Sequence, residues 1–392
     1  MKAVVCHQGE LSVADVPDPV PGRGQLVLDV VRCGICGSDL HARTHSDELA
    51  DLGAGLGLPD LMRPEDRVTL GHEILGRVRE YGAGTRRRWK PGQLVVTLPV
   101  IRTEGTVHMT GFEEAAPGGL AERVVAQEAF TFPVPDGVDV DRAAFTEPLA
   151  VAWHAVRRAQ IGKGRPAIVI GCGPIGLAVI LMLKAAGVRK VVASDLSPAR
   201  RALARRCGAD VVVDPREESP YAAYAPKGPA ASAADYMSFG IDTLGLLRRV
   251  PLLPWGRLMR VADTLGQTPS GPVVFECVGV PGMIDGVVAD APMRSRVVVV
   301  GVCMERDTFR PGLALNKELE FRFVFGYDPQ EFVATLGMIA DGTVDPTPLH
   351  TGTVGLDGVA AAFEDLTRPE EHAKILVDPA ETSLRDSREV TP

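Results

Sequence analysis

The sequence predicts an α/β protein in which a β-rich, barrel-like unit is interrupted by a second unit built on a doubly wound parallel sheet. Three observations carry this. Short alternating runs between Gly and Pro turn signals fill residues 1–158, continuous apolar runs spaced by helical segments begin near residue 167, and mixed patterning returns after about residue 309. The length of 392 residues exceeds what one hydrophobic core usually holds, so two units are expected.

In the first unit, Gln25-Leu26-Val27-Leu28-Asp29-Val30-Val31 and residues 76–81 and 93–98 read as short strands, rich in β-branched side chains. The character changes at Ile161-Gly162-Lys163-Gly164. Ala167-Ile168-Val169-Ile170 is a continuous apolar run, the pattern of a strand buried on both faces. A helix from Ile175 to about Ala186 and a strand over 190–194 complete a βαβ unit. Residues 211–213, 273–275 and 297–300 read as later strands of the same sheet. The expected division is therefore 1–158 with 309–392 as one unit and 159–308 as the other. The tail after Pro379 carries no ordered pattern.

Composition narrows the function classes. With 42 Lys and Arg against 50 Asp and Glu, the net charge is −8, which disfavours nucleic acid and offers no polybasic membrane anchor. No apolar run is long enough for a membrane span, and the N-terminus lacks a signal-peptide core. Seven cysteines, an odd number, read as reduced thiols in a cytoplasmic protein, most of them buried.

Gly171-Cys172-Gly173-Pro174-Ile175-Gly176 is a G-x-G-x-x-G turn between strand and helix. The first Gly permits the tight turn, the second lets backbone approach a pyrophosphate, and the third lets helix pack on strand, with the helix N-terminus facing phosphate. Asp195, nineteen residues beyond Gly176, ends the next strand, where a carboxylate accepts ribose hydroxyls and repels a 2′-phosphate. Arg200 and Arg201 follow on a helix. Arg200 is kept as a candidate cofactor residue, although both arginines read as a solvated helical face, and NAD is favoured over NADP.

Gly34-Ile35-Cys36-Gly37-Ser38-Asp39-Leu40-His41 and Gly71-His72-Glu73-Ile74-Leu75-Gly76 form a separated constellation of zinc-ligand types. Taken singly, each has a bland reading, as a buried Cys, a surface His and a satisfied core His. Together with the glycine turn, Gly118-Gly119-Leu120-Ala121-Glu122, Thr146-Glu147-Pro148-Leu149 and Asn316-Lys317-Glu318-Leu319-Glu320, they resemble the zinc-dependent medium-chain dehydrogenase/reductase superfamily over nearly the whole chain.

The resemblance implies a GroES-like catalytic domain around an inserted Rossmann domain, one catalytic Zn2+, and a homodimer or homotetramer. Cys36 and His72 match its zinc-ligand pair, and Glu73 and Glu147 are the two candidates for the third ligand. Ser38 and His41 match a proton relay, and Asp39 the carboxylate that orients the ligand His. Zinc then lowers the pKa of a substrate hydroxyl, and hydride passes from the carbinol carbon to the nicotinamide. The implied activity is hydride transfer between NAD and a secondary alcohol or polyol. The alternatives are a zinc-free quinone or enoyl reductase and a nonenzymatic dinucleotide-binding protein.

Two departures stand out. Many relatives bind a structural zinc through four close cysteines, but no Cys occurs from 37 to 171, which excludes such a site, and His108 reads as an ordinary loop residue. Two apolar stretches, 46–66 and about 215–270, exceed what the fold needs. The second allows a packed helical hairpin, a subunit contact or a lid. Both stretches are expected to favour a bulkier, apolar alcohol through an extended entrance or an intersubunit contact.

Overall fold

The computed structural model describes residues 1–162, 164–222, 232–250, 254–264, 271–368, 370 and 372–381. The chain divides into two compact units, Met1–Trp153 with Gly326–Pro392 and His154–Phe325.

In the first unit, strands run in the order Thr131–Pro133, Leu94–Thr97, Glu73–Tyr81, Gln25–Gly34, Lys374–Val377 and His350–Val354, and Arg123–Gln127 also pairs with Gln25–Gly34. The long strand Gln25–Gly34 is the centre of this sheet because its near-continuous apolar run is buried along both sides. A smaller sheet joins Glu10–Asp15, Lys2–His7 and Val68–Thr69. Leu26, Leu28, Leu70, Leu120, Phe363 and Ile375 meet in one core that draws on both ends of the chain. The last strand, Lys374–Val377, closes on Cys33 and Gly34 in antiparallel register. That pairing places the C-terminal return beside the Cys36 motif.

In the second unit, the described residues form a six-stranded sheet, in the order Val211–Val213, Val191–Ser194, Ala167–Ile170, Val273–Glu276, Arg296–Val299 and Glu320–Phe323. Every pair is parallel, and the order is that of a Rossmann sheet. The strand Ala167–Ile170 lies where the winding reverses, so the turn that follows it opens at the sheet's switch point.

The expected boundary at 309 falls too early. Residues Glu320–Phe323 pair with Arg296–Val299 as the sixth strand, and the first unit resumes at Gly326. This edge strand alternates Glu, Phe, Arg and Phe and is half exposed, so it lacks the continuous apolar run that marks its inner neighbours.

The insertion contains two helices, Ala233–Leu247 and Trp255–Thr264, while residues 223–231, 251–253 and 265–270, with Leu252 and Leu253, lie outside the described residues. A packed hairpin does not describe them, because Met237, Ile241, Leu246 and Val261 are more than half exposed. The shorter apolar stretch divides. Leu61 and Met62 enter the core, whereas Leu52 and Leu56 on and after the helix Ser46–Gly55 face solvent. Among the described residues no helix is long and apolar enough to cross a membrane. Five cysteines are buried, and Cys36 and Cys303 are half-buried. The tail beyond 381 lies outside the described residues.

Candidate functional site

Cys36 stands at the N-cap of the helix Gly37–Thr44. The same helix carries Asp39 one turn on, fully buried, and Asp39 ties the two motifs together. Its Oδ2 accepts the Cys36 N–H at 2.8 Å, and its Oδ1 accepts the Gly71 N–H at 3.2 Å and faces His72 Nδ1 at 3.1 Å. With Nδ1 held by this carboxylate, Nε2 is the ring nitrogen left toward Ser38, where a bound ion would take its lone pair in place of a proton. Burial alone would lower the His72 pKa, but Asp39, by charge and hydrogen bond, holds it well above the ordinary imidazole value. Phe112 covers the His72 ring, with centroids 4.9 Å apart.

Glu73 follows His72 at the start of the strand Glu73–Tyr81 and is fully buried. Lys374, arriving on the last strand, makes a short ion pair with Glu73 Oε1. Burial works against the Lys374 cation, but Glu73 outweighs it and the ammonium is held above its ordinary pKa. The other oxygen, Glu73 Oε2, is buried without a hydrogen-bond partner. Gly34 makes room for this arrangement, since a Cβ there would collide with Glu73 Oε2 and press on Lys374. Cys36, His72 and Glu73 offer donor atoms that lie within 4.8 Å of one another. A thiolate, an imidazole nitrogen and an orphaned carboxylate oxygen fit a borderline divalent ion such as zinc.

Glu147 sits in the first turn of the helix Thr146–Ala159, buried, and feels the charges of both Glu73 and His72. Burial first, then Glu73, pushes its carboxyl up to about 7. The Tyr327 phenol lies beside it and is raised well above its ordinary value, by burial and then by the Glu147 charge. Ser38 Oγ lies 3.2 Å from His72 Nε2. His41 is half-buried on the next turn, its pKa lowered by burial and then by His45, and no hydrogen bond joins it to Ser38 among the described residues.

The glycine turn has three different environments. Gly171 has φ +87°, the left-handed region, and a Cβ on Gly176 would strike the Gly171 carbonyl. Gly173 is open instead, with nothing nearer to a built Cβ than the Arg200 guanidinium at 4.0 Å. Pro174 takes the first position of the helix Pro174–Ala185, and Ile175 follows it, half-buried. Asp195 accepts the Cys172 N–H at 2.6 Å and the Ser197 N–H at 2.8 Å, linking the turn to the next βα loop. The two arginines are not a solvated face. Arg200 reaches over Gly173, and Arg201 bonds the Asp195 and Leu196 carbonyls at 2.8 Å and pairs with Asp214.

His108 also departs from expectation. It lies on the strand Thr106–Met109, buried, with Nδ1 2.6 Å from Glu113 Oε2, so it is not an ordinary loop residue. Sequence patterning missed Lys374 and Tyr327 as neighbours of the site. For Lys374 a signal existed, because a lysine opening the apolar run Lys374-Ile375-Leu376-Val377 must find a carboxylate once that strand is buried.

Residues 22–136 match the alcohol dehydrogenase GroES-like domain, and residues 174–235 match the zinc-binding dehydrogenase model. One match falls in each unit, in the order the fold requires, and the chain belongs to the zinc-dependent medium-chain dehydrogenase/reductase superfamily. Among its relatives is the (R,R)-butanediol dehydrogenase of Bacillus subtilis (strain 168), 29% identical over 97% of this chain and 100% of that protein. Human sorbitol dehydrogenase is 28% identical over 93% of this chain and 92% of its own. The crystal structure of the Bacillus subtilis 2R,3R-butanediol dehydrogenase superposes with a TM-score of 0.72 at 27% identity, covering 96% of this chain and 99% of that one.

Proposed function

We propose that this protein is an oxidoreductase that transfers a hydride between a secondary alcohol or polyol and a nicotinamide dinucleotide, with Cys36, His72 and a buried carboxylate holding one zinc ion. The observation that carries the reading is that Cys36, His72 and Glu73 offer donor atoms within 4.8 Å of one another, while Glu73 Oε2 is buried without a hydrogen-bond partner. When bound, zinc supplies Lewis-acid polarisation of the substrate oxygen, and the nicotinamide supplies the hydride acceptor.

The chain's own residues do the rest. Asp39 fixes the His72 tautomer and holds the Cys36 backbone in the same contact. Ser38, beside His72, is placed to take the hydroxyl proton, and His41, one turn along the helix and half-buried, to pass it to solvent. Lys374 anchors one oxygen of Glu73, which favours Glu73 as the third ligand and leaves Glu147 to receive protons or contact substrate. On the other unit, Gly171, Gly173, Pro174, Ile175 and Gly176 receive the pyrophosphate, and Asp195 selects NAD through the ribose. Arg200, lying over Gly173, supplies positive charge to the same pyrophosphate. The exposed apolar side chains of the two insertion helices suit a bulkier alcohol's entrance or an intersubunit contact. Unchanged substrate order and unchanged sedimentation in a chain lacking residues 220–265 would remove that assignment.

The test is zinc content with NADH absorbance over a panel of diols, polyols and bulky secondary alcohols. Cys36→Ser should abolish turnover and leave NADH binding within about threefold, because thiol and glycine turn belong to different units. Neither zinc nor turnover in the wild-type protein would refute the reading.

A further inference from the structure

We propose a second divalent-metal site, built by Asp60, His108 and Glu113, that fastens the apolar stretch after the helix Ser46–Gly55 to the hairpin Val100–Thr103/Thr106–Met109. It shares no residue with the Cys36 cluster and does not depend on the reading given to that cluster.

The hairpin register places His108 opposite Ile101, and both side chains turn inward and are buried. Four residues after the hairpin, Glu113 is buried and doubly held, its Oε1 accepting the Met109 N–H at 2.7 Å and its Oε2 facing His108 Nδ1 at 2.6 Å. An imidazole and a carboxylate fixed at this range need no ordering on binding, and the ion would take the place of the proton they share, which is released to solvent. Asp60 completes it from a different segment. Its carboxylate is exposed and makes no hydrogen bond or ion pair among the described residues, and the three donors lie within 4.8 Å of one another.

The surroundings favour a cation. Asp60, His108 and Glu113 line a pocket of about 310 Å³ together with Asp66, Glu114 and Arg63. Arg63 is the cationic side chain of that lining, and its guanidinium is engaged elsewhere, by Asp47 and Asp51 at 3.0 Å each. Carboxylates therefore dominate the field in the pocket. One imidazole with two carboxylates selects a zinc-like ion over the all-oxygen shells of calcium or magnesium. Three protein donors leave one tetrahedral position to water. The ion would act by cross-linking two segments nearly fifty residues apart in sequence, so its loss should loosen the 56–66 stretch.

Zinc content per chain, measured after exhaustive dialysis against metal-free buffer, tests the site. Wild-type protein should carry two equivalents. Asp60→Asn, a change at an exposed side chain that leaves the hairpin intact, should carry one, as should His108→Gln, while Cys36→Ser should keep the equivalent that Asp60→Asn loses. With Co2+ in place of zinc, the second equivalent should add visible d–d bands without the thiolate charge-transfer band that marks Cys36. A wild-type chain with one equivalent, removed by Cys36→Ser, would overturn this site and leave the catalytic reading standing. One equivalent removed by Asp60→Asn would support this site and overturn the other. Two equivalents untouched by Asp60→Asn, or calcium bound where zinc is not, would also overturn it.

Discussion

Lys374 and Glu73, 301 residues apart in the chain, form a buried ion pair whose other carboxylate oxygen has no partner. The last strand of the first unit thus reaches the residue beside His72, and Gly34, which has no side chain, lets the pair fit. The pair gives a carboxylate with no access to water a cationic partner, beside a second buried carboxylate, Glu147. It occupies Oε1 and leaves Oε2 without a hydrogen-bond partner.

Removing Lys374 should therefore be costly. Lys374→Met leaves the Glu73 carboxylate buried and unpaired, a loss of about 3–5 kcal/mol. Denaturant unfolding of the two proteins measures it. The double variant Lys374→Met/Glu73→Gln should regain much of the loss, since no lone charge remains. A single-variant loss under about 1 kcal/mol would show that the pair does not hold Glu73.

Glu147 sets a pH dependence whose sign can be worked out. Burial, then Glu73, raises its carboxyl to about 7 from its ordinary value of 4.5. Across that interval the folded chain holds a proton that the unfolded chain has released. Its contribution to stability is complete below the unfolded pKa and is lost as pH rises through about 7. Chelator-treated, metal-free protein should lose stability over this window, and Glu147→Gln should flatten the slope. Parallel wild-type and variant curves would assign the slope to another group.

Asp195 is expected to govern cofactor choice. Its carboxylate is held by two backbone N–H groups, so it is oriented before any ribose arrives. Asp195→Ala should weaken NADH binding by about tenfold, near 1.4 kcal/mol, and narrow the preference over NADPH. Fluorescence titration with both cofactors measures the ratio. Equal weakening for the two would mean that Asp195 only shapes the turn.

Parts of this were legible from residues alone. The glycine turn, the inner strands and the two halves of the Cys36–His72 constellation each declare themselves within a few residues. Apolar runs, positive-φ glycines and helix caps are local physics, and the linear spacing carries them. The edge strand Glu320–Phe323 was not legible, because half exposure removes the signal that burial imposes on its neighbours. His108 was misread for a related reason. Its partner Glu113 is near in sequence, but Asp60 reaches it only through the fold.

From local patterning came the βαβ unit, the dinucleotide turn and the residue types fit for a metal. Tertiary structure alone decided their long-range partners: that Lys374 holds Glu73, that Asp39 joins Cys36 to His72, that Tyr327 lies beside Glu147, and that Asp60 meets a hairpin from another segment. The reason is physical. A buried charge or an orphaned donor is satisfied by whatever group the packed chain brings within a few ångströms, and sequence separation does not enter that interaction energy.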